Sequence, residues 1–167
     1  MKNQTITLLA ALALLLFAGS ISANNITVSN TKLTGQNTTD GYTLVQFDLS
    51  WENSWRTSSA PNNWDAAWVF VKYRITAANG GDNLWKHATL NSTGHSGGSG
   101  TGTTITPAPD GTGAFIYRSA DGNGTFSLTG AQLRWNYGAN NVTDNATIDI
   151  KVFADKFLNV TKIIDFD

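Results

Sequence analysis

Strict alternation of apolar and polar residues over Tyr42-Thr-Leu-Val-Gln-Phe-Asp-Leu-Ser-Trp51 constrains this chain most. Val45, Phe47, Leu49 and Trp51 share one face, and Gln46, Asp48 and Ser50 take the other. A repeat of two residues is the signature of a strand with one buried face and does not fit a helix, whose repeat is 3.6. The pattern recurs weakly at Asn25–Leu33 (Ile26, Val28), and clearly at Ala131–Tyr137 and Ala146–Phe153 (Ile148, Ile150, Val152). Ala66–Ile75 begins apolar on both faces, which predicts a central strand. It then sets Lys72 and Arg74 against Val71, Tyr73 and Ile75. Leu84–Leu90 reads as a shorter strand, and no stretch after residue 24 carries a sustained helical period.

Turn chemistry separates these runs. Asp110-Gly precedes Ala114–Arg118 and Asp121-Gly precedes Thr125–Thr129, two hairpin signals, because glycine adopts the positive φ that tight turns need. Asp121-Gly-Asn-Gly lacks the further acidic positions of a calcium loop. Residues 94–104, dominated by Gly, Ser and Thr, predict a flexible loop, since ordering glycine costs the most backbone entropy. No Lys-Ser/Thr follows that loop, so it is not a phosphate cradle. The sum is an all-β chain, expected to be an antiparallel β-sandwich of about seven or eight strands, immunoglobulin-like or jelly-roll-like.

The ends and the composition bound the setting. Lys2 followed by the apolar run Thr7–Ala18, too short to span a bilayer stably, and the small residues Gly19, Ser20, Ser22 and Ala23 predicts a signal peptide over 1–23, cleaved after Ala23 or alternatively at Ser20 or Ser22. The expected organisation is a signal peptide, 1–23, a β-sandwich domain, 24–154, and a divergent C-terminal tail, 155–167. Export would place the mature chain in the periplasm, at the surface or outside, with no membrane span. A net charge of −1 with scattered Lys and Arg disfavours nucleic acid. Absence of Cys removes disulfides and thiolate chemistry.

Catalytic machinery is not evident. His87 and His95 are the two histidines and Glu52 the single glutamate, too few for a zinc site. No Gly-x-Ser-x-Gly elbow marks a nucleophile, and nothing selects a carboxylate pair from Asp48, Glu52 and Asp65. No catalytic residue, metal or cofactor is therefore expected. The cluster Trp51, Trp55, Trp64 and Trp68 is the candidate site. On one reading Trp51 and Trp68 fill the core while Trp55 and Trp64 staple a loop onto it. On the other, Trp55 and Trp64, with Asn63 and Asp65, stack on and hydrogen-bond a sugar ring.

The strings Trp51–Tyr73, Phe115–Gly122 and Leu133–Gly138 resemble the N-terminal β-rich region of large exported bacterial proteins. In that family this region precedes a domain of the formylglycine-generating, sulfatase-modifying-factor type. The resemblance spans roughly residues 25–154. Residues 155–167 do not resemble the family's continuation, so the second domain's catalytic residues have no positions here to map onto. The resemblance implies a non-catalytic accessory module, a truncated relative whose partner is an unknown protein or glycan. The alternative is a carbohydrate-binding module using residues 51–68.

Overall fold

The computed structural model describes residues 25–160, so the expected leader over 1–23 and the end of the expected tail lie outside the described residues. The chain is all-β. Nine strands are described: β1 (Thr27–Asn37), β2 (Tyr42–Thr57), β3 (Asn63–Ile75), β4 (Lys86–His87), β5 (Ser99–Gly100), β6 (Thr103–Pro107), β7 (Ala114–Arg118), β8 (Gly122–Trp135) and β9 (Ile148–Val160). All pairings are antiparallel.

The nine strands form one hydrogen-bonded sheet with two arms. One arm runs β1-β2-β8-β5. The other runs β9-β3-β7-β6, with β4 also on β3. Among the described strands the two arms are hydrogen-bonded to one another at the β2–β3 hairpin, through Arg56 opposite Trp64 and Thr57 opposite Asn63. Val45, Phe47, Leu49 and Trp51 from β2 and Phe126, Leu128, Leu133 and Trp135 from β8 pack in one buried cluster with Val69, Val71 and Tyr73 from β3 and Ile116 from β7. The inner faces of the two arms thus share a single core, as the alternation in the sequence requires.

Two bulges keep that alternation in phase. Thr125–Thr129 and Ala131–Tyr137 read as separate strands, yet β8 runs through both. The register passes from Phe47 opposite Ala131 to Leu49 opposite Leu128, one extra residue on β8, with Gly130 at φ +70°. Inserting one residue lets Leu128 and Ala131 both face inward. The same device on β2, with Asn53 at φ 54°, makes Trp51 and Ser54 both buried. Asp48 accepts from the Gly130 amide at 2.8 Å and from Asn30 at 2.6 Å. These bonds, the Asn30 one foremost, hold its carboxyl below the usual range.

Three expectations need correction. Asp110-Gly does close a hairpin, β6–β7, but Asp121-Gly does not: β7 is flanked by β3 and β6, and β8 by β2 and β5. The second turn therefore carries the chain from one arm to the other, because both edges of β7 are occupied. Leu84–Leu90 forms only the two-residue β4 and a single bridge from Leu90 to Trp135. The glycine-rich segment is not free. Ser96 exchanges both backbone bonds with Gln132 (2.9 and 2.7 Å), and Thr101 N donates to Ser127 O at 2.8 Å. Gly98 permits this approach, since a Cβ there would sit 2.2 Å from Thr129 O.

His95 pins the same segment. Its Nδ1 accepts from the Arg134 backbone N–H at 3.1 Å, which fixes the proton on Nε2 and makes Nε2 the donor to Asn91 O at 2.7 Å. Burial, reinforced by Arg134 and opposed by the Asn91 bond, lowers its pKa from the usual 6.5. As pH falls through 6.5 the unfolded ring takes up a proton before the folded one, so stability falls until the folded pKa is passed. The expected result is a wild-type denaturation midpoint that drops between neutral pH and pH 5, with a shallower drop for His95→Gln. Parallel curves would show that another group titrates.

Candidate functional site

β3 carries two faces with different chemistry. Asp65, Ala67, Val69, Val71 and Tyr73 point into the core, and all are buried. Trp64, Trp68, Phe70, Lys72 and Arg74 alternate with them on the outer face and are half-buried. That outer face is built of ring pairs. Trp64 stacks on Tyr117 with centroids 5.9 Å apart, Trp68 lies 4.9 Å from Phe115, and Phe70 lies parallel to Phe153 at 5.0 Å and stacks on His87 at 5.3 Å. The sheet register explains the pairs. Trp68 stands opposite Phe115 on β7, and Phe70 opposite Phe153 on β9. Phe153 is 40% exposed, a large apolar ring left open to solvent.

Cations frame this surface. The Arg56 guanidinium sits 4.4 Å from the Trp64 ring centre, on the same face as Tyr117 at 5.7 Å. Trp85 is flanked by Arg74 at 4.9 Å and Lys151 at 4.5 Å. Arg74 is itself paired with Asp149 at 2.7 Å. Cation–ring contacts of this kind contribute about 0.5–1 kcal/mol each at exposed sites and hold the indoles in place.

The four residues singled out in the sequence do not form one platform. Trp64 belongs to the outer aromatic face, and its indole N–H is buried with no hydrogen-bond partner. Trp55 is adjacent on β2 to Arg56, the residue that stacks on Trp64, so strand alternation sends its side chain the other way. Asn63 pairs with Thr57 at the hairpin. Asp65 is fully buried. It accepts from Trp51 Nε1 at 2.7 Å, Ser54 Oγ at 3.0 Å and the Trp55 amide at 3.1 Å, and its Oδ2 is 3.1 Å from Lys156 Nζ. Four donors of the chain itself use both carboxylate oxygens, which makes Asp65 a tie inside the fold with no side left for a sugar hydroxyl. Of the tryptophans expected in the core, Trp51 is there, stacked on Phe126 at 3.9 Å, whereas Trp68 sits on the outer face, because its parity on β3 is opposite to that of Val69.

Phe70, Trp85, Phe115, Tyr117 and Phe153 were missed. Only Phe70 carries a signal, in Ala66–Ile75, apolar on both faces, which fits burial on two sides as well as a solvent-facing aromatic face; the other four come from segments that only strand pairing brings together. A cleft of about 260 Å³ lies between β1 and the segment from Tyr137 to Ile148. Its polar groups already bond one another, as Tyr137 Oη donates to Asp144 Oδ1 at 2.6 Å and Gln36 Nε2 to Asp144 O at 3.0 Å. Among the described residues no group of three His, Asp or Glu side chains is arranged to hold a metal, and no helix is long and apolar enough to cross a membrane. No protein-family model, curated protein or solved structure matches the chain.

Proposed function

We propose that this chain is a non-catalytic, exported interaction module whose two arms pack as the layers of a β-sandwich, and that it binds carbohydrate on the outer face of the β9-β3-β7-β6 arm. The observation that carries this reading is the set of ring pairs Trp64–Tyr117, Trp68–Phe115 and Phe70–Phe153 spread across one sheet surface. A sheet holds its side chains at fixed spacing, so such a face is preorganised, and stacking on it orders little else. Sugar rings present C–H faces that suit aromatic rings, while their hydroxyls remain in water or meet the flanking polar groups. The resemblance to the region preceding a formylglycine-generating-type domain supports the accessory part of the reading. A module of that kind would deliver or hold its neighbour at a glycan-bearing surface.

The test is a titration of the purified chain with a panel of soluble polysaccharides, followed by tryptophan fluorescence. At least one glycan should quench or shift the emission. Replacing Phe70 and Phe153 together by alanine should weaken its binding by roughly tenfold, the equivalent of one ring-stacking contact. Unchanged far-ultraviolet circular dichroism would show that the fold is kept. Silence across the panel, or binding indifferent to the double replacement, would remove the reading.

A further inference from the structure

The outer face is layered along β3. Arg74 stands opposite Asp149; two residues on, Lys72 stands between Lys151 on β9 and His87 on β4; then Phe70 stands opposite Phe153; then Trp68 between Asp155 and Phe115. Three of these layers have evident internal logic: an ion pair, a ring pair, and a ring pair edged by an acid. The Lys72 layer holds no acid: Lys151 Nζ rests 4.5 Å from the Trp85 ring and His87 stacks on Phe70, so rings and not a carboxylate neighbour its cations. Two lysines directly across a strand pair repel one another, and the third member of the row is an imidazole. Lys151 and His87 are exposed and Lys72 is half-buried. The neighbouring acid Asp149 is taken by Arg74 at 2.7 Å. Lys72 and Lys151 are far apart in sequence, so a chain whose net charge is only −1 and whose basic residues look scattered gathers a basic row on folding.

We infer that this row selects an acidic polysaccharide, one whose pyranose rings carry carboxylate or sulfate groups. The inference rests on the reading of the aromatic face as a glycan-binding surface and names the ligand class. Successive outward layers on a strand lie about 7 Å apart. A sugar ring laid across the outward edges of Phe70 and Phe153, whose faces are turned to one another and to His87, therefore brings an anionic substituent beside Lys72 and Lys151, with His87 as a further hydrogen-bonding group. The anion would relieve the lysine–lysine repulsion, so charge complementarity and ring stacking act on the same saccharide unit. A carboxylate polymer without rings gains only the first contribution, and a neutral glycan only the second.

The experiment compares probes of matched length on the purified chain: oligogalacturonate, the same oligomer methyl-esterified, a sulfated oligosaccharide, polyglutamate and single-stranded DNA. The expected result is that oligogalacturonate or the sulfated oligosaccharide binds at least tenfold more tightly than the methyl ester, polyglutamate or DNA. Which of the two anionic glycans binds tells carboxylate from sulfate. That binding should weaken as salt rises, and Lys72→Gln with Lys151→Gln should abolish the tenfold preference. The same double replacement should leave the denaturation midpoint unchanged or raise it, because it removes opposed like charges. Equal binding of the methyl ester overturns the inference while leaving the glycan-binding face standing. Equal binding of polyglutamate or DNA also overturns it, the row then being a general anion site. No binding of any saccharide overturns both.

Discussion

Replacing Asp65 by alanine is expected to destabilise the fold by about 3–5 kcal/mol, the usual cost of removing one partner of a buried ion pair. The side chain is fully buried and the Lys156 side chain is 5% exposed. Loss of the carboxylate would leave an ammonium inside the protein with only the carbonyls of Glu52 (3.1 Å) and Asn53 (3.3 Å) as partners. It would also strip the acceptor from the Trp51 indole and the Trp55 amide. Lys156→Met should cost less, because Asp65 keeps three hydrogen-bond donors. The double variant Asp65→Ala with Lys156→Met should lose less than the sum of its singles, as expected of residues in contact. Denaturant midpoints of the four proteins decide this. Additive effects would mean that the pair is not formed in solution.

Trp135→Ala should have an effect of similar size, about 3–5 kcal/mol. The indole is fully buried and packs 4.7 Å from Tyr73 and 6.2 Å, edge-on, from Tyr137. Its Nε1 donates to Asn140 Oδ1 at 2.7 Å, an oxygen that also accepts from the Thr89 amide, while Asn140 Nδ2 donates to Thr89 Oγ1. The ring thus joins the last turn of β8 to the segment preceding the glycine-rich stretch. Trp135→Phe keeps most of the packing and loses only the bond, so it should cost about 1–2 kcal/mol. If both substitutions cost the same, the hydrogen bond, not the ring volume, carries the site.

These two sites show unequal legibility. The inward set Val45, Phe47, Leu49 and Trp51 was readable because alternation alone fixes it, and so was the hairpin turn at Asp110-Gly. Lys156 was half-readable. It continues the parity of Ile148, Ile150, Val152 and Ala154, so a lysine on that face demands a buried acid. Asp65 has the matching parity with Val69 and Val71 on β3. What alternation does not carry is register, and register alone brings Lys156 opposite Ala67, within reach of Asp65. The strand β9 crosses position 154 without a break, pairing Ala154 with Val69 and Asp155 with Trp68.

The candidate face was hidden for the same reason. Phe115 and Phe153 lie on strands distant in sequence from Trp68 and Phe70, and only the pairing of β7 and β9 with β3 assembles the rings. The tryptophan cluster drew attention to the right strand but joined residues from both of its faces. Parity separates them: even-numbered positions from Trp64 to Arg74 face out, and odd-numbered ones face in.

The most direct test of the account is a chemical-shift map of the isotopically labelled chain titrated with a glycan it binds. Amide perturbations confined to β3, β7 and β9, with the largest at residues near Phe70, Phe153 and Trp68, are the predicted result. Shifts centred on β1, β2 and β8, or on the cleft lined by Tyr137 and Asp144, would contradict it.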